Sequence, residues 1–206
     1  MKRYLLLPIS LSIYKTAFLS ILSMLVMSLF LFSVQVQAYS YAAAGKEPLI
    51  EGREAMLVAM QTSDFKVVKA ELVKLNEELV YLKTEHQVNL ITPFEKALEK
   101  QDKGQIDKLI DVALLEEIIR RLEGAKTNLN DYQVAKVLVV KSKLFLDLLI
   151  PKLNAKNSEQ ANLAINGLLK SIGNPGVFGV GKTPADSVAF GKEKNKLLSA
   201  LQQFHL

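Results

Sequence analysis

The stretch 134–150 constrains the fold most, because twelve of its seventeen residues are apolar and neither Gly nor Pro interrupts them. At about 100° per residue in a helix, Lys136, Lys143 and Asp147 fall on one narrow stripe. The rest of the surface is mostly apolar, which is typical of a helix that touches neighbours on most sides. A buried strand is the alternative, but strands of this length are unusual. We therefore predict that this stretch is the central helix of an all-α domain.

Apolar spacing predicts further helices on both sides of this stretch. Apolar positions from Phe65 to Leu82 follow alternating steps of three and four residues, which is typical of one bundle helix. Other helical patterns cover residues 48–61, 106–123, 157–172 and 186–204, and a short helix starts near Thr92. In the predicted helix 186–204, Phe190 and Leu197 share one face. We expect residues 48–206 to form a single antiparallel helical bundle of about five to seven helices.

Residues 1–38 have the pattern of an export signal. Lys2, Arg3 and Lys15 form a positive end, an uncharged apolar run follows, and the segment ends at Ala38 in a small-x-small cleavage pattern. The alternative is an uncleaved anchor formed by residues 16–36, since about 20 apolar residues span a bilayer. Both interpretations place the rest of the chain outside the cytoplasm, in a bacterial periplasm or secreted. Residues 39–47 then form a short tether.

The overall charge gives no reason to expect a nucleic-acid partner. The formal net charge is +5, from 26 Lys and Arg against 21 Asp and Glu. Three of the basic residues lie in the export signal, so its removal leaves 23 against 21, a net charge of +2. A nearly neutral chain lacks the basic surface that phosphate backbones attract. The absence of cysteine excludes disulfides, thiolate catalysis and cysteine-held metal sites.

Residues 176–183, GVFGVGKT, match the phosphate-binding pattern G-x-x-x-x-G-K-[ST]. A phosphate loop needs a preceding strand, whereas the preceding segment here predicts a helix, and Pro184 removes an N–H that phosphate would use. We therefore expect no nucleotide, and we predict that Thr183 caps the last helix with Pro184 at its first position. The functional alternative is a partner-docking loop that presents Val177, Phe178, Val180 and Lys182.

The segment 116–121 contains two acidic residues followed, about one helical turn later, by two basic residues. Glu116 and Arg120, like Glu117 and Arg121, are four residues apart with the acid first, which favours salt bridges on a solvated helix face. The alternative is a carboxylate site inside the bundle, as in metal-binding four-helix proteins. The Glu-x-x-His motif of those proteins is absent. The candidate metal ligands are Glu85, His86, Glu116 and Glu117.

Lys141 is the exceptional charged residue of the predicted central helix. It points about 140° away from Lys136, toward the side that we expect to be buried. A buried ammonium group needs a partner or a route to solvent. We predict an ion pair with an acid such as Glu116 or Glu117.

Methionine and histidine in the terminal helices offer a second kind of site. Met56 or Met60 in the first helix, together with His205 at the end of the last, are ligand types for haem or for a copper or iron ion. In ligand type and rough position this arrangement resembles the small periplasmic four-helix b-type cytochromes, which implies a bound haem. Methionines at helical spacing are more often core residues, so our main expectation is that no cofactor is bound.

No serine–histidine–acid set or paired catalytic acids can be assigned from the spacing, and we expect a protein that is not an enzyme. The export signal and the all-α pattern favour a periplasmic or secreted binding or accessory protein of an envelope system, with a protein partner. A metal- or haem-binding bundle is the alternative. Contact with the membrane is expected only through the N-terminal segment, if it is not cleaved.

The export interpretation makes a direct prediction about processing. The mature protein should begin near Tyr39 and be found in the periplasmic fraction, because the cleavage pattern follows an apolar run. N-terminal sequencing of the fractionated protein measures this. Membrane-bound protein that still begins at Met1 would instead establish the anchor.

Overall fold

The computed structural model describes residues 47–176 and 181–205. Within these ranges the chain forms eight α-helices and two short 3₁₀ segments and no strand, which confirms the all-α class. The helices are α1 (Pro48–Gln61), α2 (Phe65–Lys74), α3 (Asn76–Glu85), α4 (Ile91–Glu99), α5 (Lys103–Thr127), α6 (Tyr132–Leu149), α7 (Ala155–Ser171) and α8 (Ser187–Ala200). The 3₁₀ segments are Ile150–Lys152 and Gln202–Phe204. The predicted export signal and residues 39–46 of the predicted tether lie outside the described ranges.

Short polar side chains determine where most of these helices begin. At the start of five helices an aspartate or asparagine accepts hydrogen bonds from backbone N–H groups two or three residues further on. The five capping residues are Asp64, Asp102, Asp131, Asn154 and Asp186. Each one satisfies donors that the first turn of a helix leaves without an intrahelical partner.

The most buried helix is α5, with thirteen of its 25 residues buried. It packs along α6 and also contacts α1, α4 and α8. The prediction that the stretch 134–150 is the central helix is wrong, because α6 leaves Val140 and Leu144 exposed at 42% and 41%. The sequence pattern did not predict that α5 is the most buried helix. Charged residues usually mark an exposed helix face, whereas Asp111, Glu117 and Arg121 are buried here. In the described part of the chain no helix, α6 included, is long and apolar enough to cross a membrane.

The helix predicted over residues 65–82 is divided in two at Leu75. This residue has φ −83° and ψ 3°, so α2 ends before it and α3 begins after it. The predicted apolar seam is nevertheless retained, since Val68, Leu75, Leu79 and Leu82 are all buried. The division raises the number of described helices to eight, one more than the upper limit of our prediction.

The α7 and α8 helices form a second closely packed pair. Their connection is closed where Asn174 and Thr183 exchange two backbone hydrogen bonds of 2.8 Å each. Gly173 precedes this bridge with φ +81°, and a Cβ atom there would lie 2.5 Å from the carbonyl oxygen of Thr183. Glycine is therefore required at this position. Phe190 and Leu197 of α8 are buried, as their shared face predicted.

The packing of α6 predicts contrasting costs for alanine substitutions along it. Leu149 is fully buried, so Leu149→Ala should lower the free energy of unfolding by about 2–5 kcal/mol. Lys136 is exposed, and Lys136→Ala should change it by less than about 0.5 kcal/mol. Chemical denaturation of both variants measures the difference, and similar costs at the two positions would contradict the observed orientation of α6.

Candidate functional site

An apolar groove lies between α2, α3 and α4, and we call it the α2–α4 groove. Its volume is about 400 Å³. Leu79 and Phe94 are buried at its base, whereas Val73 is 67% exposed. The residues that line it are Lys69, Leu72, Val73, Asn76, Leu79, Ile91, Phe94, Glu95 and Leu98. They bring together apolar side chains and three polar ones, and they include no hydroxyl or imidazole group.

A second groove, larger in volume, lies between α1 and α2, and we call it the α1–α2 groove. Its volume is about 620 Å³. Val58 and Val67 line it and are 64% and 39% exposed. The full lining is Glu51, Glu54, Ala55, Val58, Ala59, Thr62, Asp64 and Val67. This groove therefore combines small apolar side chains with acidic ones.

Charged side chains are buried together where α1, α5 and α6 meet. Arg121 of α5 is 5% exposed and donates hydrogen bonds to Glu117 and to Oε2 of Glu47, the latter at 2.5 Å. Its guanidinium group also lies over the ring of Phe145, 4.3 Å from the ring centroid. Glu47 and Glu117 are themselves 8% and 4% exposed. One arginine thus joins two buried carboxylates and an aromatic ring.

Two more cations complete this set, which we call the Arg121 cluster. Arg120 donates to both carboxylate oxygens of Glu117 at 3.0 and 2.8 Å, and the ammonium nitrogen of Lys141 lies 2.9 Å from Oε1 of Glu47. The cluster consists of Glu47, Glu117, Arg120, Arg121 and Lys141.

Three predictions are corrected by the Arg121 cluster. Glu117 and Arg121 pair as expected but are buried, so the solvated face predicted for them is wrong. Arg120 pairs with Glu117 and not with Glu116. The predicted ion pair of Lys141 is present, but its partner is Glu47, a residue that the sequence assigned to the tether.

A second, partly buried ion pair joins α5 to the segment that follows α6, and the sequence did not predict it. The ammonium group of Lys152 donates to both Asp107 and Asp111, at distances between 2.7 and 2.9 Å. Burial raises the pKa of the Asp111 carboxyl, and the hydrogen bond from Lys152 opposes that rise. The two aspartates are one helical turn apart in the sequence, but no local pattern indicates that Lys152 reaches them.

The methionines proposed as haem or metal ligands are core residues in this structure. Met56 is fully buried and Met60 is 6% exposed, and both belong to the main apolar core. Their thioethers thus fill space between helices, as methionine commonly does. His205, which was paired with them in the prediction, is exposed and follows the last 3₁₀ segment.

Glu116 has electrostatic interactions with both histidines of the chain. Burial raises the pKa of the Glu116 carboxyl, and the charges of His205 and His86 act on it in the opposite direction. Glu85 is exposed at the end of α3, and Glu117 is committed to the Arg121 cluster. Across residues 47–176 and 181–205, no group of three or more His, Asp or Glu side chains is arranged to hold a metal ion.

The phosphate-loop pattern does not have the surroundings of a phosphate loop. The helix α7 precedes it, and Thr183 forms a bridge with Asn174 instead of starting a helix. Asp186 caps α8, so the predicted cap at Thr183 is wrong. Of the proposed docking loop, Lys182 is exposed. Val177, Phe178 and Val180 lie outside the described residues.

Comparison with known proteins does not place the chain in a family. No family model matches it, and no curated protein or solved structure matches it either. Its own grooves and charged groups are therefore the basis for proposing a function.

The Arg121 cluster predicts a large cost for losing its central cation. Arg121→Ala should lower the free energy of unfolding by about 3 kcal/mol, the low end for a broken buried ion pair, because Lys141 and Arg120 remain beside the two carboxylates. The control is Lys143→Ala, which removes an exposed pair with Asp147 and should cost less than about 1 kcal/mol. Urea denaturation measures both, and equal losses would contradict the role given to Arg121.

Proposed function

We propose that this protein is an exported binding or accessory protein of a bacterial cell envelope, acting in the periplasm or after secretion. The export pattern of residues 1–38 supports this compartment. In the anchored alternative, residues 16–36 would hold the same domain at the outer side of the inner membrane. The proposed partner is another envelope protein, which α1–α4 would bind.

The observation that carries this proposal is the α2–α4 groove. Its volume of about 400 Å³ lies within the range of ligand-binding clefts. Apolar side chains form most of its lining, and Lys69, Asn76 and Glu95 supply a few polar groups that can orient an occupant. This combination suits the apolar side chains of a partner segment, because burial of apolar surface provides affinity and the polar groups provide direction.

Exposed apolar side chains are concentrated on the same part of the domain. Nine large hydrophobic residues are exposed in the described ranges, and five of them lie on α1–α3. These five are Val58, Val67, Val73, Val80 and Tyr81. Single exposed apolar residues are ordinary, but several on neighbouring short helices are typical of an interaction surface.

The chemistry of the α2–α4 groove favours binding over catalysis. Its lining includes neither the hydroxyl nor the imidazole group on which acyl- and phosphoryl-transfer sites commonly depend. Lys69 and Glu95 are its charged residues, and neither forms an ion pair within the described part of the chain. They are thus available to contact polar groups of a bound partner.

A synthetic peptide tests the proposed groove. The probe is an amphipathic helical peptide with leucine on one face and glutamine on the other, and its affinity is measured by calorimetry. We expect it to bind the wild-type protein and to bind Val73→Glu about tenfold more weakly, because the new carboxylate would be buried against apolar groups.

Val188→Glu is the matched control, since Val188 is 80% exposed and lies on α8, outside both grooves. This variant should bind the peptide as the wild type does. Failure of the wild type to bind, or equal weakening in both variants, would overturn the proposal.

The alternative function, metal or haem binding through Met56, Met60 or His205, makes a different prediction. It requires a visible absorption band or a stoichiometric metal in the purified protein. An absorption spectrum and elemental analysis therefore distinguish the alternative from a peptide-binding groove.

A further inference from the structure

We infer that the proposed partner has, besides the segment that fits the α2–α4 groove, a positively charged amphipathic segment that docks in the α1–α2 groove as a helix. The inference rests on the proposed binding function and adds the chemical class of the partner. It depends on the charge of the groove, on the exposure of its apolar residues and on its length.

The charge of the α1–α2 groove has a single sign. Glu51, Glu54 and Asp64 line it, and its lining includes no lysine or arginine. Among the residues that the structure describes, none of these three carboxylates forms an ion pair. In contrast, the α2–α4 groove carries both signs, with Lys69 and Glu95. The α1–α2 groove is therefore complementary to cations.

Exposed apolar groups lie between these carboxylates. Val58 is 64% exposed and Val67 is 39% exposed, and Ala55 and Ala59 also line the groove. A purely charged partner would leave these groups in water. A segment that has basic residues next to apolar ones would neutralise the carboxylates and cover the valines at the same time.

The length of the groove corresponds to slightly more than two turns of a helix. Its lining on α1 extends from Glu51 to Ala59, eight positions along the helix. At a rise of about 1.5 Å per residue this is about 12 Å. An amphipathic helix that lies along this distance would present basic residues on successive turns, which is the common mode of helix binding in a groove.

The negative charge of the α1–α2 groove also favours a polypeptide partner over a lipid surface or a nucleic acid. Bacterial phospholipid surfaces and nucleic acids are anionic, and the three carboxylates would repel them. A basic polypeptide is attracted instead. Asp64 additionally caps α2 by accepting a hydrogen bond of 3.2 Å from the N–H of Val67, so substitutions for a test are better made at Glu51 and Glu54.

The experiment compares three peptides that share the same leucine positions. Their polar positions are filled by lysine, by glutamine or by glutamate, and calorimetry measures their affinity for the purified protein at low and high salt. We expect the lysine peptide to bind about tenfold or more tightly than the glutamate peptide at low salt. High salt should reduce this difference, because the carboxylates are exposed.

Two double variants assign the effect to the groove. Glu51→Lys combined with Glu54→Lys should weaken the lysine peptide about tenfold and remove its advantage over the glutamate peptide. The control is Glu99→Lys combined with Glu159→Lys, which changes the net charge equally at exposed sites outside both grooves and should leave the preference intact. Far-ultraviolet circular dichroism verifies that both variants remain helical.

The outcomes separate this inference from the proposed function. Equal binding of all three peptides, or equal loss in both double variants, would overturn the inference while leaving the proposed function standing. Failure of the glutamine peptide to bind would overturn the proposed function first. Binding to phosphatidylglycerol vesicles that is tighter for the wild type than for the Glu51→Lys, Glu54→Lys variant would also overturn the inference, because it would mean that the carboxylates do not select against an anionic surface.

Discussion

The buried charges of α5 must be paired with opposite charges for the domain to fold. Arg121 and Glu117 lie on the most buried helix, where removing each ion from water costs several kcal/mol unless it is paired and hydrogen-bonded. Part of the compensation comes from outside α5, from Glu47 before α1 and from Lys141 on α6. These contacts require α1, α5 and α6 to come together in one arrangement. Apolar packing alone tolerates several arrangements, whereas paired charges do not.

The ion pair of Lys152 with Asp107 and Asp111 constrains the position of α5 and α6 in the same way, at another point along α5. Asp111 and Arg121 are ten residues apart on α5, which is about 15 Å along a helix. Lys152, which follows α6, pairs with Asp111, the earlier of these two residues of α5. Lys141, which comes earlier on α6, pairs with Glu47, and Glu47 also pairs with Arg121, the later of the two. This order fixes α5 and α6 as antiparallel neighbours. The half of the domain built on this pair is therefore held by directional contacts as well as by its apolar core.

The α1–α4 half is built differently, and this difference produces the grooves. The α2, α3 and α4 helices have ten, ten and nine residues, each less than three full turns. Helices of this length cover only part of their neighbours, so Leu72 and Leu98 stay partly exposed beside the fully packed core. The break at Leu75 turns one predicted long helix into two short ones. Val67, Val73 and Val80 are exposed on the short α2 and α3 helices.

Local interactions were sufficient to predict the all-α class and the approximate position of most helices from the sequence. Apolar spacing predicted the all-α class and the seam from Phe65 to Leu82, because both depend on residues three and four apart. The cap of α2 by Asp64 is equally local, because its hydrogen bond reaches only three residues along the chain. Burial of ions could not be predicted in this way, since Arg121 meets Glu47 across 74 positions and Lys152 meets Asp111 across 41. The grooves depend on such long-range packing too. The sequence by itself therefore determined that the described chain is helical. Only the tertiary structure decided that α5 is its most buried helix, which charges are buried and which apolar residues remain exposed, because these properties depend on pairs of residues far apart in the chain.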